Sequence, residues 1–403
     1  MGARFVRVDH DTELLLPPDM REWVPKDHLV HFLMDAVEEL DLRAARVNQR
    51  GTGDEQYPPA MMLGLLVYCY ASGVFSSRVI EGMTYENVAV RVLCADTHPD
   101  HETICAFRRN NGKLLAEGFA QVLEMAARCG VLKVGGVSVA IDGTKILANA
   151  SKHAAVSYER AEYEAKLARR EEVKVEGKKP RGQDPKPPSA EPEAKDQVNF
   201  SDPESRIMPL GGKGAFGQAC NAQAGVEIES RLIVTQRVSN APNDKKELAA
   251  NVAAINSAVG SVATVLVDSG FLSEEAVNSI ECNEKGEATA VRVLAAVKRD
   301  RHGRRVADLE KKDDPPEPEA GASFQDRMAH RVATKAGRQL YKQRQQTLEP
   351  VFGILKEAME CRRFSLRGQI KANLEWTLVC LAYNLRRLHR VITARQPAIQ
   401  PAF

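Results

Sequence analysis

Twice in this chain a run of apolar, largely β-branched residues stops at an aspartate with a glycine close behind it: VSVAIDG at 137–143 and SVATVLVDSG at 261–270. Such runs predict buried strands, and a carboxylate at the end of a buried strand constrains the fold, because the charge must reach water, a metal or a partner group. Two explanations compete at Asp142. Asp-Gly is a common turn pair, in which the carboxylate bonds nearby backbone N–H groups and glycine tolerates positive φ. The end of a strand is also a rigid place from which to aim a carboxylate at a metal ion or a substrate.

The rest of the chain sorts around these strands. Residues 1–130 read mainly as helices: HLVHFLMDAVEELDL sets Leu29, Phe32, Leu33, Ala36, Val37 and Leu40 on one face at a 3.6-residue period. Tyr57-Pro58-Pro59 opens a second, more apolar helix from Pro59, and further helices follow Ser76 and His101, the latter ending in the basic pair Arg108-Arg109. Such a bundle can bind DNA or serve as scaffold, and no helix-turn-helix can be assigned in it.

Strands begin at 136. Residues 157–199 form a charged, Pro-rich stretch with scarcely any large apolar residue, expected as an insertion of solvated helix and flexible linker, and 299–322 form a second such loop. Between them Val226, Ile228, Ser230, Leu232 and Val234 alternate with mostly polar neighbours, the pattern of half-buried strands. Asn243 or Asp244 can cap a helix through Leu248, Val252 and Ile255. After Asp268 and Gly270, Ser273 with Glu274 and Glu275 starts another helix.

Composition excludes several classes. The longest apolar stretch, MMLGLLVYCYASGVF at 61–75, is shorter than the roughly 18–20 residues of a spanning helix, and no apolar signal segment follows Met1, so the expectation is a soluble, cytoplasmic protein without a membrane partner. The eight cysteines are scattered singly, with no C-x-x-C pair and no histidine cluster to build a zinc site. A net charge of +2 says little about nucleic acid. Its distribution says more, because from Arg327 to Arg395 fifteen basic residues stand against four acids. Arg327, Arg331, Lys335, Arg338 and Lys342 recur at helical spacing as one basic stripe, and an unmixed stripe favours a polyanion.

Two motifs fail on context. GGKGAFG at 211–217 has G-x-G-x-x-G spacing, but strand-like sequence follows where a dinucleotide site needs a helix. Asp142-Gly143-Thr144 is like the end of a D-x-D-G-T phosphatase loop, yet the nucleophile's position is Ala140. The remaining signal is YKQRQQTLEPVFGILKEAMECRRFSLRG at 341–368. Thr347 is expected to cap a new helix with Pro350 in its first turn and Val351, Phe352, Leu355 and Met359 on its buried side, which sets Glu349 near the positive helix end and Lys356 two turns on.

At these residues the sequence resembles the DDE-class transposases of bacterial insertion sequences, in the group with a C-terminal Tyr, Arg, Glu, Lys signature, here Tyr341, Arg344, Glu349 and Lys356. The first and last gaps match the usual spacing, and four residues separate Arg344 from Glu349 where three are typical. The resemblance extends to AIDGTKILANASKH, NFSDPESRIM, VLVDSGF and YPPAMMLGLLVYCYASGVFSSR, and so to nearly the whole chain.

It implies a mixed α+β protein. An N-terminal helical domain over 1–130, for binding element ends, would be followed at 136–395 by a ribonuclease H-like domain, a five-stranded mixed sheet flanked by helices. Asp142 would end the first strand, Asp268 the fourth, and Glu349 would come from a later helix. Together they would hold two Mg²⁺ ions, with Mn²⁺ as a substitute, for cleavage and joining of DNA. Tyr341, Arg344 and Lys356, with Arg338 and Lys342 of the stripe, would handle DNA, Tyr341 by stacking on a displaced base unless its ring is ordinary helix packing. The partners implied are double-stranded DNA, as terminal inverted repeats and target, and further copies of the chain in a dimer or larger assembly at the nucleoid. A DNA-binding relative that does not cut, and a ribonuclease H-like nuclease that does not join, are the alternatives.

Overall fold

The computed structural model describes residues 19–48, 55–151, 155–157, 167, 170, 197–210, 216–283, 285–297, 313–319 and 321–395. Most of the charged stretch at 157–199, most of the loop at 299–322 and the start of GGKGAFG lie outside these residues.

The first six helices are α1 (Leu29–Glu38), α2 (Pro59–Ala71), α3 (Ser77–Glu86), α4 (Val88–Leu93), α5 (His101–Asn110) and α6 (Gly112–Arg128). Proline in the first turn of α2 costs no hydrogen bond, as expected, and the helix is buried along almost its whole length. Asp100 caps α5 by accepting from the Thr103 N–H at 2.6 Å. Arg108, expected in a surface basic pair, is instead buried, where it donates to the Tyr70 hydroxyl at 2.8 Å and the Phe75 carbonyl at 2.9 Å. Its long apolar stem suits an interior position once the guanidinium finds acceptors, and sequence spacing does not show those acceptors.

Six strands make one open sheet: β1 (Val137–Leu147), β4 (Arg206–Pro209), β5 (Phe216–Glu227), β6 (Ile233–Ser239), β7 (Val262–Val267) and β8 (Arg292–Ala295). β1 is central, antiparallel to β5 and parallel to β7; β8 adds parallel to β7, and β4 and β6 share the far edge of β5, both antiparallel. The fold class is therefore mixed α+β as expected, with β4 taking the sheet from five strands to six. Two short strands, β2 (Ala155–Ser157) and β3 (Gln197–Asn199), pair antiparallel and bring the two ends of the charged stretch together.

Two expectations within the sheet are corrected. The half-buried strands expected over 226–234 are present only at its two ends, Val226 and Glu227 in β5 and Ile233 and Val234 in β6; residues 228–232 are the turn between them, where Glu227 accepts from the Ser230 N–H at 2.7 Å and hydroxyl at 2.6 Å. Asp244 does not cap the following helix, α7 (Leu248–Ala253), whose N-cap is Glu247; its carboxylate accepts from Gln223 and Asn221 instead. The segment after β7 matches expectation: Ser273 caps α8 (Glu274–Glu281) by accepting from the Ala276 N–H at 3.1 Å.

The last three helices are α9 (Phe324–Ala333), α10 (Lys335–Gly353) and α11 (Gln369–Arg395). α10 lies against β1, β5, β7 and β8, while α7 covers the other face of β5 and β6. α11 packs on α2, α6 and β6 at once, and its Trp376 is fully buried with the indole N–H donating to the Gln223 carbonyl at 2.9 Å. One apolar core therefore runs from Val30 in α1 through the sheet to Leu388 in α11.

Candidate active site

Asp142 lies inside β1, not at its end, and the strand continues through Gly143 to Leu147. Gly143 is needed for contact across the sheet and makes no turn: a Cβ there would run into Gln223, Asn221 and Asp244. What does end near Asp142 is the pairing with β7. Ala140 is paired with Leu266, so the register carries Asp142 alongside Asp268, just past the last residue of β7. Asp268 accepts from the Gly270 N–H at 2.7 Å, the turn chemistry expected there.

Glu349 comes from α10 by a different route from the one expected. Thr347 is buried within a continuous helix and caps nothing, and Pro350 lies in the helix interior. Thr and Pro are local start signals, but Thr347, Leu348 and Val351 are buried on a helix already running from Lys335, and that tertiary burial prevails. Glu349 thus sits near the C-terminal end of α10, where the helix dipole does not favour a carboxylate. The chain then widens into a π-helical turn at Ile354–Ala358, closed by the Met359 N–H on the Ile354 carbonyl at 2.9 Å. Such widened turns are frequent at functional sites, and this one carries Lys356. The end of β1 is clipped to the segment behind it, Phe364 donating to Leu147 at 2.8 Å.

These elements enclose a cleft of about 280 Å³ whose walls include Asp142, Arg344, Gln345, Glu349, Phe352 and Lys356. Arg344 donates to the Asp142 carboxylate at 3.1 Å, and its guanidinium lies 5.8 Å from the centre of the Tyr341 ring. Tyr341 is half-buried, with its hydroxyl donating to the Val267 carbonyl at 3.0 Å, one residue before Asp268. Burial pushes the Asp142 carboxyl up to about 6; Arg344 opposes this, and the Asp268 charge adds to it. Burial also lowers Lys356 and raises Tyr341 relative to their ordinary values. Asp142 and Glu349 therefore share a cleft, and Asp268 stands beside Asp142. Among the described residues, however, no three acids lie close enough together to hold one metal ion.

The basic stripe is divided between two helices. Thr334 ends α9 and caps α10 by accepting from the Gly337 N–H at 3.1 Å, and a Cβ at residue 337 would overlap the Arg331 carbonyl oxygen. Arg331 pairs with Glu281 at 2.6 Å, and Arg327 donates to the Ala322 carbonyl at 2.7 Å, so both are engaged close to α8 and the loop before α9. Arg338 donates to the Ala333 carbonyl at 2.8 Å, and Lys342 is exposed.

Three polar residues of the neighbourhood, Lys145, Asn221 and Gln223, were not singled out in the sequence, and a fourth, Asp244, was expected as a helix cap. On the sheet face away from α10, Asp244 accepts from Gln223 at 2.6 Å and Asn221 at 2.7 Å, and Lys145 stands 4.0 Å from it. The only signal in the sequence was the spacing of Asn221 and Gln223 on one face of an otherwise small-residue strand.

Residues 317–389, spanning α9, α10, most of α11 and the whole Tyr341–Lys356 signature, match the family described as Transposase DDE domain. Residues 18–110, spanning α1–α5, match the family described as Transposase domain. No curated protein and no solved structure matched the chain. The two family matches, one toward each end of the chain, support an insertion-sequence transposase of the DDE type.

Proposed function

We propose that the chain cuts DNA at the terminal inverted repeats of its element and joins the freed ends to target DNA, using Asp142, Asp268 and Glu349. The observation that carries this reading is the β1–β7 register, which sets Asp142 beside Asp268 while Asp142 also lines the cleft that holds Glu349 and Lys356. The strand order β6-β5-β1-β7-β8, antiparallel on one side of β1 and parallel on the other, supports a ribonuclease H-like catalytic domain.

The acids suit a divalent cation. They are hard oxygen donors, and Asp142 is pushed up by burial and by Asp268, a strain that a bound cation relieves. Arg344 already supplies a positive charge to that carboxylate. Mg²⁺, as two ions held by Asp142, Asp268 and Glu349, would supply an activated oxygen nucleophile and stabilise the leaving oxygen. Lys356 and Arg344 then hold the phosphates flanking the cut, with Arg338 and Lys342 further along the DNA. The α1–α6 bundle over 1–130 binds the element ends, and two ends paired in one complex require at least a dimer.

Mg²⁺-dependent cutting of a duplex taken from the DNA flanking the gene, with wild type and Asp268→Ala side by side, tests the proposal. Cutting at a repeat boundary by wild type alone supports it. Binding without cutting, with Mn²⁺ also tried, reduces the protein to a DNA-binding relative, and cutting without joined products reduces it to a nuclease.

A further inference from the structure

On the side of α10 opposite the cleft, four arginines come together around a small pocket: Arg231 from the β5–β6 turn and Arg386, Arg387 and Arg390 from α11. Pro350 and Val351 of α10 and Ile354 of the π-helical turn form one wall, whereas Glu349, Phe352 and Gly353 face the cleft. The pocket is therefore about one helix width, roughly 10 Å, from the candidate active site. No acid lines it.

The arrangement is held rigidly. The Tyr383 hydroxyl donates to the Arg231 carbonyl at 3.0 Å, Arg387 donates to the Ser230 carbonyl at 3.0 Å, and Asn384 bonds both polar groups of the Ile233 backbone at 2.9 and 2.8 Å. These bonds clamp the turn onto α11 and fix Arg231 over the arginine row. Arg231 itself has φ +60°, a left-handed conformation that glycine or asparagine adopts at lower cost. The turn thus keeps a guanidinium where its backbone favours a smaller residue, and backbone strain of this kind concentrates at binding sites. Arg386 is lowered by burial and by the charge of Arg390, so the row carries like-charge repulsion that a bound anion would relieve. The side chains of Arg231 and Arg390 make no hydrogen bond or ion pair within the described residues.

We propose that this cluster is a second DNA-backbone site, in which Arg231 and Arg390 each take a phosphate of the duplex that passes over the end of α10. Planar guanidiniums in a fixed array suit phosphate, and a strand lying across the C-terminal turns of α10 reaches both the cleft and the cluster. The proposal rests on the reading of the chain as a protein that acts on DNA.

The test is the salt dependence of binding to a duplex carrying the element's terminal repeat, measured by fluorescence anisotropy without divalent metal. Wild type is compared with Arg390→Gln, Arg231→Asn and the double variant. Arg231→Asn keeps a residue that tolerates the left-handed backbone, and melting curves confirm that each variant is folded. Each lost phosphate contact is expected to reduce the slope of log K against log salt by about 0.9, so the double variant should lose about 1.8. Wild-type binding with the same slope in the double variant overturns the proposal alone. An unchanged slope accompanied by loss of self-association assigns the cluster to an acidic surface of a second copy and also overturns it. Wild type that binds no DNA overturns the functional reading together with the proposal.

Discussion

Asp142 shows at the residue scale what a buried carboxylate costs the fold. Its carboxyl is pushed from 3.8 to about 6 by burial first, with the Asp268 charge adding to the effect and Arg344 opposing it. A folded-state value above the ordinary one means that the fold favours the protonated form. That contribution is complete below about pH 4 and is lost as pH rises through about 6. Asp142→Asn, neutral throughout, is expected to melt above wild type at about pH 7 without metal, by on the order of 1–3 kcal/mol, and the gap should close at about pH 4. Equal gaps at the two pH values in calorimetry would refute this. The same variant is expected to keep DNA binding and to lose Mg²⁺-dependent cutting in a gel assay; retained cutting removes Asp142 from the site.

At the scale of elements, the α9–α10 elbow decides where Tyr341, Arg344 and Glu349 point. Gly337→Ala places a Cβ against the Arg331 carbonyl and is expected to cost at least about 2 kcal/mol, read from urea denaturation midpoints. Trp376→Ala in α11 is expected to cost about 3–5 kcal/mol, because a fully buried indole and its hydrogen bond to Gln223 are both lost. The elements readable from sequence were those with local causes: proline in the first turn of α2, Ser273 capping α8, and the apolar run of β7 closing on Asp268. The misread ones depended on distant partners. Gly143 looked like a turn because Gln223, Asn221 and Asp244, which need its missing side chain, are about eighty to a hundred residues away. Thr347 and Pro350 looked like a helix start because nothing nearby in sequence reveals the face that α10 buries. The acids themselves stood out, whereas how near they come to one another depends on contacts that no local pattern encodes.

Over the whole molecule, α11 joins the α1–α6 bundle to the sheet. It touches α2 and α6 on one side and β6 on the other, and its Glu375 is buried, accepting from the Ser365 and Leu366 N–H groups at 2.9 Å each. Residues 19–130 produced alone would expose the apolar surface that α11 covers. They are expected to aggregate or bind a hydrophobic dye, and co-expression with residues 131–395 is expected to restore solubility. A soluble, cooperatively melting 19–130 fragment would show instead that the bundle stands alone. The place of α11 in the chain order also affects the timing of synthesis. Everything it packs on is translated before it, so at roughly 5–20 residues per second the bundle and sheet wait many seconds for their shared wall. Folding of the bundle cannot be completed on the ribosome until the Leu374–Leu388 stretch has emerged. Until then the growing chain, with Asp142 and Asp268 already made, has exposed apolar faces that a chaperone can hold.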